Sequence, residues 1–198
     1  MIKISSLLSG VALCIMTMDV AHGTDGNGQF AIKGVGNASC TDYVRVVDEN
    51  DPQKLLFAGW INGYITAHNQ HLSETFDITS WENIETIGNY LREHCKKNSE
   101  LSFFQATTQL VNQLHPDRIK EFKGAENISS GSQSIKSYIQ VNQKVQTRLK
   151  TLGFYEGEID GQMTPELIDG INQFRATMGW PETLVLDQRT LHMLLREK

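Results

Sequence analysis

Apolar side chains recur at three- and four-residue steps through much of the chain, the period of helices that bury one face. Over Lys54–Asn69 the stripe is Leu56, Phe57, Trp60, Ile61, Tyr64 and Ile65, and Gly59 and Gly63, four apart, predict a thin face for close packing. Thr79 and Glu82 have capping-box spacing and predict the start of a helix whose Ile84, Ile87, Leu91 and Cys95 point inward together. A further helix is predicted from Ser99 to Leu114, with Leu101, Phe104, Val111 and Leu114 on the core side. It stops at His115-Pro116 because proline disfavours helical geometry in the residue before it.

Residues 40–123 therefore read as one helical domain, preceded by a Gly- and Asn-rich lead-in over 24–39 with no period of either kind. Over 124–137 the chain turns to Gly, Ser, Asn and Gln, with Ile128 and Ile135 as the large apolar residues, and this composition predicts a flexible linker. Helical spacing resumes at Ile139 with Val141, Val145, Leu149 and Leu152, and Gly153 stands where a left-handed cap residue belongs. A second helix opens with Thr164 as N-cap and Pro165 at the first helical position. It carries Leu167, Ile168, Ile171, Phe174 and Met178 inward and ends at Gly179. Asp187 caps a third, with Leu191, Leu194 and Leu195 inward. The fold class expected is all-α: a small helical domain followed by a three-helix module over 138–198.

The first 23 residues have the parts of a secretory signal: Lys3, an apolar run from Ile4 to Met18, and Ala21 and Gly23 before a cut at Gly23–Thr24. That run of about fifteen residues is shorter than the roughly 20 a spanning helix needs, so no membrane span is expected. A periplasmic or secreted protein follows, with Cys14 lost along with the signal. Cys40 and Cys95 remain, and in an oxidising compartment they predict a disulfide. Closing a loop of that size constrains the unfolded chain by roughly 4 kcal/mol. The net charge of −5 offers no basic face for nucleic acid.

The run VQTRLKTLGFYEGEIDG, followed by Ile171, Phe174, Gly179, Leu186, Asp187, Thr190 and Leu194, resembles the peptidoglycan-binding domain family. That family shows a helix, a glycine-rich loop ending in Asp-Gly, a second helix ending near a Phe-Gln pair, and a capped third. The resemblance implies a non-catalytic envelope module that docks on wall peptide stems. Tyr155, Asp160 and Arg175 are its candidate ligand contacts, an aromatic wall with polar donors and acceptors beside it. The sequence departs from the pattern at Thr164, Leu167, Gly170 and Arg175, where the family has Gly, Thr, Ala and Gln. These departures bear on the ligand more than on the architecture.

Cys40-Thr-Asp-Tyr43, the Trp60-x-x-Gly63-Tyr64 element and Cys95-Lys-Lys-Asn98 resemble small exported single-disulfide helical proteins of the HdeA acid-chaperone and Rap/Tai immunity type. That implies binding or protection, without chemistry. His68 and His71 are three apart on one helix, but a metal site needs a third ligand and outer-shell partners, so no cofactor is expected. Paired carboxylates such as Asp48/Glu49 and Asp117/Glu121 come with no pocket signal, and no HExxH or GxSxG is present. The function expected is a non-enzymatic envelope binding protein, its C-terminal module on peptidoglycan and its N-terminal domain on a protein or small ligand. The alternative is an immunity or acid-stress chaperone protein whose module is a protein-docking surface.

Overall fold

The computed structural model describes residues 24–130 and 133–197. The signal segment, Cys14 and the residues before the expected cut lie outside that range. The chain divides into two compact units at Ala31/Ile32. In the described part of the first, Asp25 Oδ1 accepts from the amides of Asn27 and Gln29 at 2.9 and 2.8 Å, an Asx turn within the Gly-rich stretch.

After a 3-10 turn at Gly34–Asn37, the second unit runs through α1 (Cys40–Asp48), α2 (Lys54–His71), α3 (Ile84–Lys97) and α4 (Phe103–Leu114). Ser39 and Ser102 cap α1 and α4, each accepting from an amide three residues on, and Gln105 completes a capping box on α4. The four helices enclose a core in which Phe103, fully buried, meets Tyr43, Phe57 and Trp60 at ring separations of 4.5, 4.9 and 5.6 Å. The Cys40–Cys95 disulfide joins the start of α1 to the end of α3 inside this core.

Several local expectations are corrected. The cap of α3 is Asn83, which accepts from the Thr86 amide at 2.8 Å, not the Thr79/Glu82 box. Thr79 instead donates its amide to Asp77, and Glu82 turns into the protein toward Arg196. Ile84 and Leu56 are exposed rather than inward. Gly59 and Gly63 face solvent, and among the described residues no atom lies within 4 Å of an added Cβ, so none of them packs on the thin face. On α4 the inward set is Phe103, Ala106, Leu110, Val111 and Leu114, one step from the predicted stripe at its start, and Phe104 packs edge-on against Tyr64. His68 Nδ1–H donates to the Tyr64 carbonyl at 2.9 Å.

Over 124–137 the structure departs from a flexible linker. β1 (Ala125–Ser130) and β2 (Gln133–Tyr138) pair antiparallel, with Ala125 opposite Tyr138 and Ile128 opposite Ile135. The two isoleucines, too few to show an alternating pattern, meet across the ladder. The hairpin is also fastened from outside: Glu126 accepts from the Met163 amide at 2.8 Å, and the Ser137 hydroxyl donates to Asn142.

β2 runs directly into α5 (Ile139–Thr151), followed by α6 (Pro165–Thr177) and α7 (Gln188–Leu195). Thr164 and Asp187 cap α6 and α7 as predicted. Val145, Leu149, Leu167, Ile171, Leu186 and Leu194 form the second core, while Leu152 and Met178 at the helix ends remain exposed. Trp81, from before α3, and Ile119, from after α4, join this core.

That shared packing continues as a polar seam. Gln188 donates to the Trp81 carbonyl at 2.7 Å and accepts from the Asn83 amide and the Thr86 hydroxyl at 3.0 and 2.7 Å. Tyr90 hydroxyl and His192 Nδ1 are 2.7 Å apart. Arg196 pairs with Glu82 and, at 2.7 Å, with Asp117. Among the described residues no helix is long and apolar enough to cross a membrane.

Candidate functional site

The loop between α5 and α6 is set by two buried amides of α5. Gln146, fully buried, accepts from the Gly161 amide at 2.8 Å and donates to Asp160 Oδ1 at 2.8 Å and the Gln162 carbonyl at 3.2 Å. Asn142, also fully buried, donates to the Gly161 carbonyl at 2.8 Å. Gly161 has φ +83°, and a Cβ there would sit 2.7 Å from the Ile139 carbonyl, so both conformation and space require glycine. In sequence Asn142 and Gln146 are two polar residues four apart beside the apolar stripe of α5, with nothing to set them off from solvated amides; their role is visible only against the folded loop.

The three predicted contacts separate. Asp160 is exposed, and the Gln162 amide, then Gln146, hold its carboxyl below the usual carboxylate range. Tyr155 is buried, its hydroxyl donating to the Glu158 carbonyl at 2.8 Å, and burial pushes the phenol up, with the charges of Glu166 and Asp160 acting in the same direction. Gln146 links these two residues. Arg175 lies apart from them, 6 % exposed, its Nε donating to the Pro181 carbonyl at 2.9 Å and its Nη1 to Asp187 at 2.6 Å and to Thr190. Of the three side chains, only Asp160 is open to solvent.

The departures from the family pattern have internal partners. Thr164 is the N-cap of α6, Leu167 is fully buried, and Arg175 ties α6 to the cap of α7. Gly170 faces the loop: a Cβ there would lie 2.3 Å from the Phe154 carbonyl oxygen. Gly170→Ala is therefore expected to cost about 1–3 kcal/mol despite alanine's better helix propensity, measured by urea unfolding. Wild-type stability in that variant would show that the loop yields freely.

Asp187 gives a pH signature. Burial raises its pKa, but the Thr190 amide and hydroxyl and the Arg175 guanidinium outweigh it, so the carboxyl stays below its ordinary value. A carboxyl depressed in the folded state stabilises above its unfolded pKa, about 3.9, and loses that contribution as pH falls through the lower folded value. Asp187→Asn is expected to be less stable at pH 7 and to show a flatter decline below about pH 4. An unchanged acid limb would remove Asp187 from the balance.

Two grooves flank Trp81. One, of about 820 Å³, lies beside the Asp77–Asn83 segment, β2 and the start of α7. The other, of about 620 Å³, lies along α5 opposite Trp81 and the end of α7. Among the described residues no cluster of three or more His, Cys, Asp or Glu could hold a metal ion.

A capped three-helix module with an internally braced glycine-rich loop is the class this half of the chain defines. Residues 143–194, from within α5 to within α7, match the family described as "Putative peptidoglycan binding domain". No curated protein and no solved structure matches the chain. The match supports a cell-wall partner for the C-terminal half.

Proposed function

We propose that this is an exported, non-enzymatic envelope protein that residues 138–198 hold on peptidoglycan, leaving the disulfide-bonded helical half to bind a protein or small ligand. The observation that carries the reading is the family match over residues 143–194, on a module whose loop is braced by Gln146 and whose α6 and α7 are capped by Thr164 and Asp187. Leu55 and Leu56, 70 % and 60 % exposed on α2, support a protein partner for the other half. The same exposed residues favour the second reading, a protective protein of chaperone or immunity type.

The test uses the mature chain, residues 24–198, because Trp81 and Ile119 are part of the module's core. Co-sedimentation with purified wall sacculi is expected, and a protein left wholly in the supernatant would overturn the anchoring reading. Release of soluble fragments from those sacculi would overturn the non-enzymatic one.

A further inference from the structure

The 620 Å³ groove beside α5 has two unlike walls. Along one, Gln140, Gln143, Lys144, Thr147 and Arg148 follow at three- and four-residue steps. With Thr151 beyond them, this ladder runs roughly 16 Å at about 1.5 Å per residue, the length of about five residues of extended chain. The other wall carries the apolar surface of Leu194, Leu195 and Trp81 and, beside it, the Asp117–Arg196 ion pair at 2.7 Å, with the Arg196 guanidinium also 5.8 Å over the Trp81 ring.

Among the described residues, two side-chain atoms are buried without a hydrogen-bond partner, Gln140 Oε1 and Arg148 Nε, and both side chains line this groove. The Glu121 carbonyl accepts from Gln140 Nε2, which fixes which end of that amide is left over. A buried polar atom without a partner is costly, so an occupant that accepts from Arg148 Nε or donates to Gln140 Oε1 makes a bond that the folded chain leaves unmade. Lys144, Arg148 and Arg196 line the groove against Asp117, which Arg196 pairs, so its lining is net positive in a protein of net charge −5; Lys144 Nζ donates to the Asp117 carbonyl at 2.8 Å.

We infer that this groove is a second wall contact, one that takes an extended peptide bearing a free carboxylate. The inference rests on the wall-anchoring reading and adds a place and a ligand chemistry to it. Amide and hydroxyl groups on the ladder meet the peptide backbone, the apolar surface opposite takes its side chains, and Arg148 takes the carboxylate. A glycan strand fits less well, because the Trp81 ring that would stack on a sugar is paired with Arg196. Trp81 lies outside residues 143–194, so the site is composite and is not a property of the matched segment alone.

Calorimetric titration of the mature chain with muramyl peptides released from sacculi, and with glycan chains stripped of their peptides, tests this. Arg148→Gln removes the charged donor; Thr147→Trp fills the groove from an exposed helical position and leaves Arg148 in place. Both variants are expected to bind the peptide-bearing fragments at least about tenfold more weakly than wild type does, with unchanged thermal unfolding, and wild type is expected to bind stripped glycan at least about tenfold more weakly than the peptide-bearing fragments. Wild-type affinity in both variants, or equal binding of stripped glycan, overturns the inference while sacculus binding keeps the anchoring reading standing. A wild-type chain that leaves sacculi unbound overturns both.

Discussion

Arg196→Met is expected to lower the unfolding free energy by about 3–5 kcal/mol, because it strands the Glu82 carboxylate inside the protein. The Glu82 side chain is fully buried while Arg196 is 21 % exposed, so the guanidinium neutralises a charge that water does not reach. Arg196 also holds Asp117, and the two acceptors draw the segments before α3 and after α4 onto the end of α7. Urea unfolding at pH 7 measures the loss, and the double variant Glu82→Gln/Arg196→Met is expected to recover much of it by removing the stranded charge. A loss below about 1 kcal/mol in the single variant would mean that the seam rearranges to solvate Glu82.

The second large effect is the disulfide. Cys40 and Cys95 close a loop with a sequence separation of 55, and opening it is expected to cost roughly 4 kcal/mol through the freedom returned to the unfolded chain. Against a typical total of about 5–15 kcal/mol, that is a large share. Both cysteines are essentially inaccessible, 0 % and 1 % exposed, so reductant is expected to act only after the first core opens. The check is Cys40→Ala/Cys95→Ala compared with wild type by denaturant unfolding, with and without dithiothreitol. Equal midpoints would show that packing of α1 on α3 already supplies the constraint.

What the sequence reveals here is whatever repeats locally. The stripes of α5, α6 and α7, the caps Thr164 and Asp187, and the cysteine pair are each set by residues within a few positions or by chemistry independent of distance, and the structure shows them. The hairpin escaped because strands need partners: one isoleucine per strand is no alternation, and the ordering comes from Ile128 meeting Ile135 and from Glu126 reaching Met163. Thr79 and Glu82 have the spacing of a cap, yet Glu82 is claimed by Arg196, 114 residues away, a competition no local window contains. In the candidate loop, Tyr155 and Asp160 were legible as residue types. The amide that positions Asp160, Gln146, looks in sequence like any surface glutamine.

The bonds from Gln188 to Trp81, Asn83 and Thr86 have a mechanical consequence. A tethered domain on a slack linker searches a volume that grows with the linker's length. Where α7 is stitched to the segment entering α3, that search collapses to a single stand-off. A protein fastened to the wall through its C-terminal half would then present α2, with Leu55 and Leu56, at one fixed height, and would meet only partners whose own position matches that height.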